Sequence, residues 1–65
     1  MNKDKIQKIV FAIAENNRKK MIDVIMLYSG EEYETREELI DLAIKNDEQL
    51  RYILNHLVDY YLNED

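Results

Sequence analysis

Gln49, Arg51 and Asn55 have side chains that can read base edges, arginine against guanine and the two amides against adenine. Together with Glu48 and Tyr52 they lie opposite a regular apolar stripe, so a helix through this segment presents them on one outward face. Asp47, Glu48 and Asp59 surround them, and Arg51 is the one fixed positive charge on that helix. Phosphate contacts supply much of the affinity for DNA, so an acidic helix works against groove binding. The competing use of Arg51 is a local pair with Asp47 or Glu48, four and three residues before it.

Three further groups of residues could carry a function. Tyr52, His56 and Tyr60 recur every fourth residue beside the apolar stripe. Such a row suits a protein interface; the alternative is partial burial at the core edge with the hydroxyls in water. Arg18, Lys19 and Lys20, with Lys3, Lys5 and Lys8, form the one candidate phosphate-binding surface. They serve equally as a solvated helix face, or as the complement to an acidic second subunit. Glu31, Glu32 and Glu34, followed by Glu37 and Glu38, make an acidic cluster that lacks the ligand alternation and sixth-position glycine of an EF-hand loop. A solvated link accounts for it, as does mimicry of DNA phosphates toward a basic protein.

No nucleophile, base and orienting group stand at a usable spacing, so the chain reads as a non-enzyme. His56 is the single histidine and there is no cysteine, so neither a metal site nor a cofactor is expected.

The elements that must position these residues follow from apolar periodicity. Ile6, Ile9, Val10 and Ile13 occupy one face of a helix near residues 4–15. The pattern weakens at Asn16-Asn17, which are good turn or cap residues, although one continuous helix over 4–28 is also consistent. Met21 to Tyr28 is apolar nearly all round, and predicts a second helix over 18–29 that is central or shared with another subunit. Gly30 is placed to end it in a left-handed conformation. Thr35 with Glu38 reads as a capping box opening a third helix over 36–45. Lys45-Asn46-Asp47 is the next turn, with Asn46 suited to a left-handed conformation and Asp47 to capping. Leu50, Ile53, Leu54, Leu57, Val58 and Tyr61 then define a fourth helix over 48–62. The fold class is all-α, a bundle of three to four helices.

Residues 18–62 resemble the winged helix-turn-helix domains of small bacterial and archaeal regulators. NRKKMIDVIMLYSG resembles their first helix, EEYETREELIDLAIK the extended link and second helix, and NDEQLRYILNHLVDYYL the third, recognition helix. Leu50, Leu54, Leu57 and Leu62 reproduce the family's aliphatic spacing on that third helix. Ile40, Ile44 and Tyr61 stand where small residues or glycine are usual, and the sequence stops before a β-hairpin wing. The resemblance implies a trihelical core, with Gln49, Arg51, Tyr52 and Asn55 toward bases and Arg18, Lys19 and Lys20 toward phosphates. It places residues 1–17 outside that core, where Ile6, Ile9, Val10 and Ile13 would build a homodimer interface; packing onto the chain's own core is the alternative.

Sixty-five residues permit one domain with a thin stability margin. Residues 1–20 hold six cations and two anions, net +4, whereas residues 21–65 hold three and twelve, net −9. No apolar run is long enough to span a bilayer, so no membrane association is expected and the chain reads as cytoplasmic. Two functions are expected from these features. One is a dimeric helix-turn-helix regulator of transcription that binds DNA. The other is an acidic interaction module, an antirepressor, inhibitor or DNA mimic, that takes a basic protein as partner.

Overall fold

The computed structural model describes residues 2–30, 35–44 and 46–64. They form an all-α bundle of four helices, α1 (Lys3–Glu15), α2 (Arg18–Tyr28), α3 (Arg36–Leu42) and α4 (Glu48–Glu64), with no strand among the described residues.

The two asparagines decide between one N-terminal helix and two. Asn16 sits at φ 53 and ψ 40, and its N–H bonds the Ile13 carbonyl at 3.1 Å. Asparagine is among the few residues that tolerate this left-handed conformation as a single step. Asn17 is extended, and its Oδ1 accepts a hydrogen bond from the Lys20 N–H at 3.2 Å. One residue thus ends α1 and the next caps α2, which makes the pair a tight helical hairpin. Gly30, at φ 70, takes the left-handed conformation expected beyond α2.

The core is built by α1, α2 and α4, with Ile9, Met21, Ile25, Leu50 and Leu54 at zero exposure. The short α3 adds Leu39, and Ala43 follows as its buried C-terminal cap. The helix α1 is therefore part of the core and does not lie outside it. The physical reason is coverage: α3 has only seven residues, too few to cover the long apolar stripe of α4, and α1 and α2 cover it between them, α1 the more extensively. Ile9 is fully buried and Ile6 and Ile13 pack against the core, so of the stripe expected to serve a dimer only Val10, 48% exposed, faces solvent.

Local signatures near α3 and α4 are realised in part. Thr35 is extended as an N-cap should be, but its side chain makes no capping hydrogen bond. The helix ends at Leu42, three residues before its expected end. The Ala43 N–H is shared between the Leu39 and Ile40 carbonyls, and Ile44 is left 76% exposed. Before α4 it is Asn46 that uses its side chain, accepting from the Glu48 N–H at 2.9 Å. Asn46 has no positive φ. Asp47 is turned to another partner, described below.

Tyr61 ties the ends of three helices together. Its hydroxyl donates to the Tyr28 carbonyl at 2.5 Å, which satisfies an acceptor at the C-terminus of α2. Lys5 Nζ lies 4.9 Å from its ring centroid, and its own carbonyl accepts from Asn2 Nδ2 at 3.2 Å. Tyr61→Phe should therefore keep the packing and lose one hydrogen bond, costing about 1 kcal/mol in urea denaturation with an unchanged m-value.

Candidate functional site

The outward side of α4 gathers the sequence's hydrogen-bonding and aromatic candidates. Glu48, Gln49, Tyr52, Asn55, His56 and Tyr60 are all exposed. Gln49, Arg51, Tyr52 and Asn55 line, with Glu48, a shallow hollow of about 430 Å³. The side chains expected to meet bases thus do share one surface, with a carboxylate among them.

Arg51 is committed elsewhere. Its guanidinium donates to Asn16 Oδ1 at 2.6 Å, a contact across 35 positions of sequence that pins the α1–α2 turn onto α4. The expected local pair with Asp47 or Glu48 does not form. Asp47 instead accepts from Arg18 Nε at 2.8 Å, and Lys20 Nζ meets Glu15 at 2.9 Å. Arg36 pairs with Asp23. Of the six basic residues expected to form a phosphate-binding surface, Arg18 and Lys20 are therefore engaged within the chain and Lys5 lies over the Tyr61 ring, whereas Lys3, Lys8 and Lys19 are exposed with no ion pair among the described residues. Exposed pairs of this kind stabilise the fold by about 0–1 kcal/mol each. Their larger consequence is that they offset cations which phosphate binding would need.

The aromatic row is open. Tyr52 and Tyr60 are each 61% exposed, and Tyr52 meets His56 edge to face at a centroid distance of 4.6 Å. These side chains border a groove of about 610 Å³ between α4 and the end of α2, floored by Tyr28, Ile53 and Leu57. Ser29 also lines this groove, and its Oγ is shielded from solvent with no hydrogen-bond partner among the described residues. A buried hydroxyl left unpaired is costly to the fold. The four-residue spacing of Tyr52, His56 and Tyr60 was legible in the sequence; the groove floor was not, because Tyr28 and Ser29 reach it from another helix.

No protein-family model, curated protein or solved structure matches this chain. The helix-turn-helix resemblance therefore rests on its residue pattern. Of the four leucines that carry it, Leu50, Leu54 and Leu57 are buried, and Leu62 is 60% exposed. Glu31, Glu32 and Glu34, candidates for an acidic interface, lie outside the described residues. Among the described residues no cluster of metal-binding side chains occurs, and no helix is long and apolar enough to cross a membrane.

Proposed function

We propose that this chain is a small acidic protein-interaction module whose α4 face receives a basic, amphipathic segment of a protein partner. The observation that carries this reading is the exposed row of Tyr52, His56 and Tyr60 beside an aromatic groove, on a chain whose residues 21–65 hold net charge −9. Large amphipathic rings gain contact area at little entropic cost, and tyrosine is enriched at interface hot spots. The net acidity of residues 21–65, with Glu48 in the neighbouring hollow that shares Tyr52, would steer a basic partner and reject an acidic one. An antirepressor, an inhibitor or a mimic of DNA would all use such a surface.

The second reading is a DNA-binding regulator of transcription that acts as a dimer. Its support is the hollow that brings Gln49, Arg51, Tyr52 and Asn55 together on one face of α4. For it to operate, Arg18, Lys20 and Arg51 must exchange their present partners for phosphates or bases, at the cost of contacts that fix the α1–α2 turn.

Fluorescence anisotropy separates the two. The probes are a labelled Arg/Leu amphipathic helical peptide, its Glu/Leu counterpart and random duplex DNA, each at low and physiological salt. The interaction module should bind the basic peptide alone, and Tyr52→Ala/Tyr60→Ala should weaken it by about 10- to 100-fold. Salt-sensitive binding of duplex DNA, reduced by Arg18→Ala/Lys20→Ala, would favour the regulator instead.

A further inference from the structure

A second apolar surface lies on the α1–α2 hairpin and shares no lining residue with the α4 groove. Phe11 is 62% exposed and Leu27 65%, both large for open surface positions. Phe11, Ala12 and Val24 line a hollow of about 230 Å³ between the two helices, and Leu27 follows Val24 on the same side of α2. The hollow is bordered by Lys8 and Glu15 on α1 and by Lys20 and Asp23 on α2.

The order of these residues along α1 is informative. Lys8 lies three residues before Phe11 and Glu15 four after it. At 1.5 Å per residue these are offsets of about 4.5 and about 6 Å in opposite directions. Two copies of α1 crossing antiparallel at Phe11 would therefore set Lys8 of each copy against Glu15 of the other, twice per interface. Glu15 already meets Lys20 through Oε2, which leaves its Oε1 open, and Lys8 has no ion pair among the described residues.

We infer that this face is an isologous homodimer interface, in which each Phe11 ring enters the other copy's hollow beside Val24 and Leu27. A two-fold contact requires a self-complementary surface, and one exposed ring, one adjoining hollow and flanking charges of opposite sign supply it. A 65-residue chain with no disulfide gains more from such a contact than a larger domain does. The interface differs from the one read in the sequence: Ile6, Ile9 and Ile13 are spent on the chain's own core, and Phe11, Val24 and Leu27 take their place. It does not depend on which partner the α4 face receives.

Sedimentation equilibrium of the full chain over concentrations up to the order of 100 μM tests it, with circular dichroism of each variant as the check on folding. The wild type should dimerise. Phe11→Glu should raise the dissociation constant by about 100-fold or more, because each dimer loses two buried rings and gains two buried charges. Lys8→Glu should raise it by about tenfold, and Lys8→Glu/Glu15→Lys/Lys20→Glu, which also reverses the Glu15–Lys20 pair within each chain, should recover most of that loss, since the reversed charges face each other across the same axis. A wild type that stays monomeric overturns the proposal, as does a Phe11→Glu variant that still dimerises. Failure of the full charge reversal to recover affinity overturns the antiparallel register. If Phe11→Glu loses helicity, the Lys8 and Glu15 variants, altered only at exposed positions, decide the matter. Binding of the basic peptide to the α4 face should be unaffected by Lys8→Glu, so failure of either reading is seen separately.

Discussion

Leu54→Ala is expected to cost about 3 kcal/mol of folding stability and to lower the melting temperature by about 15–25 °C. Leu54 has zero exposure and lies mid-way along α4, the helix against which α1 and α2 both pack. Truncation there loses the transfer energy of the side chain and leaves a cavity bounded by three helices, which cannot all close on it together. A chain of this length has a total stability of about 3–10 kcal/mol, so the variant should be partly unfolded near physiological temperature. Leu62→Ala, on the same helix but 60% exposed, should stay within about 0.5 kcal/mol of the parent. Urea midpoints for the two variants check the contrast. A Leu54→Ala cost below about 1 kcal/mol would mean that α4 is not the helix on which the core is assembled.

The same helix shows how much of the fold could be read from residue order. The i, i+3, i+4 spacing of Leu50, Ile53, Leu54, Leu57, Val58 and Tyr61 identified a buried stripe; Leu50, Leu54, Leu57 and Tyr61 are buried, and Ile53 and Val58 pack against the core half-buried. Periodicity reports which face of a helix is apolar, and it is silent on what covers that face. For this reason Ile6, Ile9 and Ile13 looked equally suited to a second subunit and to the chain's own core. The structure settles their packing because α3, with seven residues, leaves most of the α4 stripe to α1 and α2. The early end of α3 was hidden for a related reason: Ala43 and Ile44 continue an apolar pattern, yet one is buried beyond the helix and the other is open to solvent.

Ion pairing was the least legible property of the candidate site. Local rules place a partner for Arg51 three or four residues away, whereas its partner is Asn16, and Arg18 reaches Asp47 across 29 positions. Both contacts cross from the α1–α2 turn to the start of α4, so they depend on tertiary placement that a single helix cannot reveal. They also change the functional weighting. In the sequence Arg18, Lys20 and Arg51 are cations available to a nucleic acid; in the folded chain each already has a partner, while Tyr52 and Tyr60 remain exposed. An exposed ion pair is worth little to stability, so the shift concerns which surface is ready for a partner more than how firmly the fold holds.

Asn16→Val should be among the most damaging substitutions at an exposed position, at about 2–4 kcal/mol. Asn16 combines two roles that are separable by mutation: it takes the left-handed conformation that ends α1, and its Oδ1 accepts the Arg51 guanidinium. A β-branched residue at φ 53 costs about 1–2 kcal/mol in backbone strain, and the lost charge-assisted hydrogen bond adds a comparable amount. Asn16→Gly accepts the conformation freely and removes only the side-chain acceptor, so it should cost no more than about 1–1.5 kcal/mol. Arg51→Gln in the Asn16→Gly background should then add little, because the partner is already gone. Denaturation midpoints of the three variants form the test. If Asn16→Val and Asn16→Gly were equally mild, α1 and α2 would be free to merge into one helix, and the hairpin that presents Phe11, Val24 and Leu27 on one face would not be enforced by this turn.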